Sequence, residues 1–372
     1  MNKYAFVVGA RPNFMKIAPI LRCIDETKAD IQYILVHTGQ HKSVVMSDVF
    51  FNDLGIKHPD YIFDTDSDRF VRAGPIMSAF SDVIDKERIT HTFVVGDVDS
   101  TFLCAFVAKN KGCFVMHAEA GLRSFDTGMP EELNRVLTDS ISDKFFVTES
   151  SGVNNLVKEG RRLAEIHLVG NLMIDSLIYQ LNKLNGADLS ASTKIKSIIG
   201  DKYVVLTMHR PSNVDSKPQL ERIISKLLCV AIDIPIVFCC HPRTANKIDE
   251  FGFSNLFARI PQPNSDKILI TDPLGYNDFI NILKDATAVI TDSGGIQEEL
   301  VYLNVPCITI RNSTERPSTI QSGGNILIGK NYDLIRQYVS LAIHKKWPEI
   351  KTPELWDGNS SSRILNILTG LA

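Results

Sequence analysis

Several short segments of this chain set charged or side-chain-free residues where an apolar run stops. Asp97 follows Val94-Val95-Gly96, Glu119 follows the run that ends at His117, and Glu131 stands in Met129-Pro130-Glu131-Glu132. Carboxylates held just past buried strands have the surroundings that tune proton exchange. Each also has a plainer structural reading. Pro130 with two glutamates makes a good helix start, and Asp97, Asp99 or Ser100 would cap the helix that follows. A charge as close to a buried strand as Glu119 needs a partner, and Arg123 is the candidate.

Other segments suit an anion. Gly9-Ala10-Arg11-Pro12 puts Arg11 at the mouth of a helix, where a guanidinium clamps phosphate bidentately. Leu206-Thr207-Met208 ends in His209-Arg210, and His241-Pro242-Arg243 is a second strand-end histidine ranked below it. Thr291-Asp292-Ser293-Gly294-Gly295-Ile296 is the sharpest segment. Its glycines let backbone N–H groups approach phosphate oxygens at a helix N-terminus. Glu299, one turn into that helix, is placed to accept from ribose hydroxyls. Arg311 and Arg316 follow the next apolar run and add positive charge near the same edge.

The elements that must position these groups are short buried strands alternating with amphipathic helices. Tyr4–Val8, Tyr33–Val36, Thr92–Val95, Cys113–His117 and Lys144–Val147 read as strands of a first series. Lys16–Glu26, Ser43–Leu54 and Phe70–Ile84 read as helices between them. After Gly170-Asn171 and a connecting stretch, Leu172–Leu184, the rhythm repeats. Tyr203–Thr207, Ile236–Cys240, Lys267–Ile270, Ala288–Thr291 and Cys307–Ile310 are its strands; Leu220–Ala231, Asp278–Leu283 and Ile296–Leu303 are its helices. Four-residue apolar runs of this kind suit strands covered on both faces. The expected fold class is therefore α/β, with two doubly wound domains facing across a cleft, and ligands beyond the carboxyl ends of the strands.

Composition narrows the partners. The 372 residues are enough for two cores, and a net charge of −3 shows no basic excess for nucleic acid. No run approaches a membrane span, and the N-terminus enters a strand rather than a signal sequence. The seven cysteines form no Cys-x-x-Cys pair and mostly lie in apolar runs, which points to reduced, buried thiols in the cytoplasm and to no metal. Gly-x-Gly-x-x-Gly is absent after the first strand, so a nicotinamide cofactor has no fingerprint here.

As a set, Gly-x-Arg-Pro, the Gly-Asp at 97, Glu-Ala-Gly-Leu-Arg, Pro-Glu-Glu-x-Asn-Arg, Asp-Ser-Gly-Gly-x-Gln-Glu-Glu and Thr-Glu-Arg-Pro resemble the non-hydrolysing UDP-N-acetylglucosamine 2-epimerase family, from Gly9 to Arg363. The resemblance implies a GT-B fold: residues 1–170 as a Rossmann-like domain, 171–358 as a UDP-binding domain, and 359–372 as a helix packing back on the first. It carries catalytic roles to Asp97, Glu119, Glu131 and His209. It carries substrate contacts to Arg11, Lys16, Arg135, His209, Ser293, Gly294, Gly295 and Glu299, with Leu274 and Phe279 at the uracil. It further implies a UDP-sugar substrate, no cofactor, a cytoplasmic homodimer, and a place in surface-polysaccharide precursor synthesis.

Two departures bear on the substrate. Gln40-His41-Lys42-Ser43 replaces the second Gln of a Gln-His-x-Gln stretch, and the segment from Gly121 to Pro130 is short. Both weigh against activation by a second substrate molecule. They also lean toward a sister branch acting on a UDP-2,3-diacetamido-uronic acid, whereas Thr314-Glu315-Arg316-Pro317 leans back to UDP-GlcNAc. Three other readings compete: a hydrolysing epimerase, a GT-B glycosyltransferase, and an inactive UDP-sugar-binding protein.

Overall fold

A computed structural model describes residues 2–39, 48–65, 68–259 and 268–370, with backbone only at 48 and 49. The chain divides into two compact units, Met1–Ile178 with Glu354–Ala372, and Tyr179–Pro353. The division falls inside the helix Leu172–Lys183.

The first unit is built on seven strands: β1 (Lys3–Val8), β2 (Gln32–His37), β3 (Tyr61–Ile62), β4 (His91–Val95), β5 (Phe114–Ala118), β6 (Lys144–Val147) and β7 (Ile166–Leu168). They lie in the order β3-β2-β1-β4-β5-β6-β7, every pair parallel. The second unit has β8 (Val204–Thr207), β9 (Ile236–Cys239), β10 (Phe257–Arg259), β11 (Ile268–Thr271), β12 (Ala288–Thr291), β13 (Cys307–Thr309) and β14 (Asn325–Leu327). Their order is β10-β11-β9-β8-β12-β13-β14, again all parallel.

Helices cover these sheets because their apolar residues recur at helical spacing. In Arg69–Glu87, Ile76, Phe80, Val83 and Ile84 pack on Ala5, Val7, Val94 and Val115. In Lys217–Ala231, Leu220, Ile223, Ile224 and Leu227 pack on Val204, Leu206 and Ile236. Strand order reverses between β1 and β4 in one sheet and between β8 and β12 in the other. These are the switch points where such sheets open a crevice at their carboxyl edge.

Some details differ from the sequence reading. The first helix runs Arg11–Thr27, starting before Lys16, because Pro12 suits its first turn and Asn13 Oδ1 accepts from Gly9 N at 3.2 Å and Ala10 N at 2.9 Å. The helix expected over Ser43–Leu54 is described as Asp48–Leu54; Gln40-His41-Lys42-Ser43 and Lys267 lie outside the described residues. All seven cysteines are free, but Cys229 is exposed and Cys23 and Cys239 are half-buried. Cys229 lies on the outward side of Lys217–Ala231. No helix among the described residues is long and apolar enough to cross a membrane.

The chain's end returns to the first unit. Trp356 is buried and donates from Nε1 to Thr148 O at 3.2 Å. Asp175 accepts from Ser360 N at 3.2 Å and Ser361 N at 2.7 Å, which caps the last helix, Ser360–Thr369. That helix reaches β1, where Tyr4 Oη donates to Leu368 O at 3.4 Å. Gly170 makes the close pass possible. Its φ is +92°, and a Cβ there would stand 2.1 Å from Leu355 O and 2.8 Å from Ser360 Oγ. Backbone strain and overpacking each cost about 1–3 kcal/mol. Gly170→Ala should therefore lower stability by roughly 2–6 kcal/mol, read as a fall in the thermal midpoint; an unchanged midpoint would mean that this contact does not matter to the fold.

Candidate active site

In the first unit the candidate residues gather where β1, β4 and β5 end. Asn13 Nδ2 donates to Val95 O at 3.0 Å, tying the first helix to the β4 end. Lys16 reaches inward from the same helix, and its Nζ lies 2.5 Å from Glu119 Oε2. Both side chains are buried. A Cβ on Gly96 would sit 3.3 Å from Lys16 Nζ and 3.6 Å from Glu119 Oε2, so the pair borders the turn that leads into Asp97.

Glu119 has φ +65°, rare for a residue with a side chain. Its second oxygen, Oε1, is buried with no hydrogen-bond partner among the described residues. Lys16, and not Arg123, is therefore the partner of Glu119. Arg123 turns the other way, donating to Asp139 Oδ2 at 2.7 Å and gripping Glu159 through Nε and Nη2 at 2.8 and 2.7 Å.

Asp97 is no helix cap. The helix Asp99–Asn110 starts from Val98 without a side-chain cap, while Asp97 pairs with Arg135 Nη2. Arg135 also holds Glu132 Oε2 at 2.8 Å, and Asn134 Nδ2 donates to Asp97 O at 2.9 Å and Asp99 Oδ1 at 3.1 Å. Arg69 and Arg72 complete the ring around Asp99, at 3.0 and 2.5 Å.

Of the two glutamates after Pro130, Glu132 is buried and structural. It accepts from Ser124 N, Ser124 Oγ and Phe125 N at 2.9, 2.9 and 3.0 Å. Glu131 stands exposed in the first turn of Pro130–Ile141 and makes no hydrogen bond or ion pair among the described residues. Arg11 is exposed too, with its guanidinium 5.7 Å from the Phe50 ring centroid.

In the second unit the candidates gather at the ends of β8 and β12, joined by a residue the sequence reading left without a role. Asp292 is wholly buried. It accepts from His209 N at 3.1 Å, Arg210 N at 2.9 Å and Asn213 Nδ2 at 3.0 Å, and its Oδ1 lies 3.3 Å from His209 Nδ1. A carboxylate at Nδ1 fixes the ring and leaves Nε2 outward. The signal was available: an acid directly before Ser-Gly-Gly at a strand end. His241 lies 5.6 Å from His209, ring centre to ring centre, but caps its own helix by accepting from Arg243 N at 3.2 Å. Burial, then the charge of His209, hold its pKa down.

Ser293 precedes the helix Gly294–Leu303 without a side-chain cap, so the first N–H groups point outward. A Cβ on Gly294 would lie 2.6 Å from Glu315 Oε1, whereas one on Gly295 would meet nothing within 4 Å. One glycine makes room for protein, and the other keeps a bare backbone on the open side. Glu299 is buried, and Tyr276 Oη donates to its Oε1 at 2.7 Å. Burial pushes this carboxyl up to about 7, Tyr276 pulls it down, and Glu298 adds to the rise. Tyr276 opens the helix Tyr276–Leu283, which carries Phe279; Leu274 precedes it, and both are half-buried.

Arg311 and Arg316 are not spare cations. Arg311 Nη2 lies 2.8 Å from Glu315 Oε2, and Arg316 bridges Glu315 and Glu298, the latter at 2.9 Å. All four are buried. They brace the Ser-Gly-Gly turn from below, because opposite charges this deep must be matched.

Known proteins share this fold. The sequence model of the UDP-N-acetylglucosamine 2-epimerase family matches residues 24–369. The UDP-N-acetylglucosamine 2-epimerase of Methanocaldococcus jannaschii is 37% identical over 372 residues, covering 99% of each chain. The UDP-2,3-diacetamido-2,3-dideoxy-D-glucuronate 2-epimerase of Pseudomonas aeruginosa is 34% identical, covering 99% of this chain and 100% of its own. The crystal structure of the Methanocaldococcus jannaschii enzyme in complex with UDP-GlcNAc and UDP superimposes with a TM-score of 0.88 at 36% identity, covering 99% of both chains. With two all-parallel seven-stranded sheets and these strand-end residues, the chain belongs to the UDP-N-acetylglucosamine 2-epimerase family.

Proposed function

We propose that this protein interconverts UDP-GlcNAc and UDP-ManNAc without net hydrolysis, by eliminating UDP and adding it back. The observation that carries the reading is Glu119. Its carboxylate is buried, held by Lys16 through one oxygen, and has its other oxygen without a hydrogen-bond partner among the described residues. Such an oxygen suits a group whose missing hydrogen-bond partner is the substrate.

C2 of an N-acetylhexosamine has no adjacent carbonyl, so direct proton abstraction is difficult. Elimination avoids this. A carboxylate takes the C2 proton, the C–H electrons form a C1=C2 bond, and the C1–O bond breaks with its electron pair leaving on UDP. Protonation of the opposite face of C2, with return of UDP to C1, gives the epimer. Two acid–base groups and a stabilised diphosphate are required. We assign the proton transfers to Asp97, Glu119 and Glu131, with Lys16 and Arg135 holding two of these acids. We assign the diphosphate to Arg11, His209 and the Ser293-Gly294-Gly295 turn, the ribose to Glu299, and the uracil to Leu274 and Phe279.

The relative that acts on a diacetamido-uronate keeps that sugar as the second reading. A uronate adds a carboxylate that needs a cation. Arg316 is taken up by Glu315 and Glu298, whereas Arg311 meets Glu315 through Nη2 and keeps Nη1 without a hydrogen-bond partner among the described residues, a donor such a carboxylate would use.

Asp97→Asn, Glu119→Gln, Glu131→Gln and His209→Ala should each lower turnover of UDP-GlcNAc by about 10²–10⁴-fold, followed by NMR of the sugar, with the fold kept. Full activity in any of them removes that residue from the mechanism. In deuterated water the product should carry deuterium at C2; a product with its original hydrogen excludes proton exchange at the site. Activity on the diacetamido-uronate alone would move the assignment to the second reading.

Glu299 gives a pH prediction. Its carboxyl, up at about 7 in the folded protein, is above its ordinary 4.5. The folded state therefore binds the extra proton between those values, and stability falls as pH rises through the window, by at most about 3 kcal/mol. Glu299→Gln should flatten that slope. Ribose hydroxyls donating to Glu299 would favour its ionised form, so binding of UDP-GlcNAc, whose diphosphate has no group titrating near pH 6, should release a proton at that pH. Calorimetry in buffers of different ionisation heat reads this, and buffer-independent heats would detach Glu299 from the ribose.

A further inference from the structure

His117 takes no part in the mechanism above, yet its ring is wholly buried within the acid–base site. It stands one residue before the end of β5. Nε2 lies 2.9 Å from Gly96 O, on the residue just before Asp97. Nδ1 lies 2.7 Å from Asp139 Oδ1, on the helix that carries Glu131 and Arg135. The other oxygen of Asp139 accepts from Gly121 N at 3.0 Å, two residues after Glu119, and from Arg123 Nη2 at 2.7 Å. One side-chain pair thus ties together the three segments that bear Asp97, Glu119 and Glu131.

A carbonyl oxygen and a carboxylate both only accept, while a neutral imidazole has one donor. Nε2 must donate to Gly96 O. A lone pair on Nδ1 would then face a carboxylate lone pair at 2.7 Å, which is repulsive. Asp139 is held ionised from its other side, where Oδ2 accepts from the Arg123 guanidinium and from Gly121 N. The remaining proton belongs on the ring. The other charged groups nearby are already matched, Arg123 by Glu159, Lys16 by Glu119, and Arg135 by Asp97 and Glu132.

We propose that His117, doubly protonated and paired with Asp139, is a positioning residue that fixes the geometry of the catalytic carboxylates by clamping the Gly96 carbonyl and the helix Pro130–Ile141. The kinetic part of this assignment rests on the epimerase reading; the protonation part does not. Displacement of a reacting group by about 1 Å costs on the order of 10²-fold in rate. His117→Gln keeps at most one of the two donors, and Asp139→Asn removes the charge.

Neutron diffraction on deuterium-exchanged wild-type protein should place deuterium on both Nδ1 and Nε2. Deuterium on one nitrogen only, or on Asp139, overturns the proposal. His117→Gln and Asp139→Asn should lower kcat about 100-fold, while UDP affinity, assigned to Arg11 and to groups of the second unit that His117 does not touch, stays within about twofold. Wild-type kcat in a folded His117→Gln protein overturns the positioning role. Equal loss of kcat and UDP affinity overturns it as well, since that marks general damage to the fold. If the wild type fails to turn over UDP-GlcNAc, the epimerase reading fails, and the neutron result alone decides on His117.

Discussion

Parallel pairing constrains everything else in this molecule. When all strands of a sheet run the same way, their carboxyl ends share one edge, and the helices that follow start there. Gly9-Ala10-Arg11, Gly96-Asp97 and Glu119 are brought to one edge by β1, β4 and β5, though up to about a hundred residues separate them in sequence. His209 and Asp292-Ser293 are brought to the edge of the other sheet by β8 and β12 in the same way. Both sets sit at or one strand beyond the point where strand order reverses, the place on such an edge where flanking loops part to opposite faces. The chemistry is thus concentrated by topology before any side chain is chosen.

A second constraint follows. Charged groups at the rim of a buried sheet pay for desolvation unless matched. The protein matches nearly all of them: Lys16 with Glu119, Arg135 with Asp97 and Glu132, Arg123 with Asp139 and Glu159, Arg316 with Glu298 and Glu315. Removing one partner of such a pair typically costs 3–5 kcal/mol. Each charge is therefore both placed and held. Among the candidate acids, Glu119 Oε1, which is buried, and Glu131, which is exposed, are left without a partner among the described residues.

Much of this was legible in the sequence, for a physical reason. Runs such as Tyr4–Val8 and Ala288–Thr291 are apolar throughout because both faces of their strand are covered, and the residue that ends the run is the one that reaches the edge. What sequence could not give is which charge meets which. Arg123 is four residues from Glu119 and looked like its partner; Lys16, 103 residues away, is the real one. Arg311 and Arg316 read as added positive charge, yet Glu315, in the same segment, meets both, and Glu298, from an earlier helix, meets Arg316. The short strands β3, β7, β10 and β14 escaped because two or three residues carry no periodic signal.

The same limit explains why supporting groups are harder to read than the groups they support. Asp97, Glu119 and His209 announce themselves by position, since a polar residue at the end of an apolar run is conspicuous. Asp292 and Asp139 do not, because a buried acid within a helix or before a turn has many structural uses. Only geometry separates them. Asp292 gathers the backbone of His209 and Arg210 with the Asn213 amide, and Asp139 gathers His117, Gly121 and Arg123. In each unit one buried carboxylate, wholly out of solvent, converges segments that sequence keeps apart. A charge so placed is stable only while all its donors remain. It therefore resists loosening of the edge it serves more strongly than apolar packing could, since packing tolerates small shifts and an unmet buried charge does not.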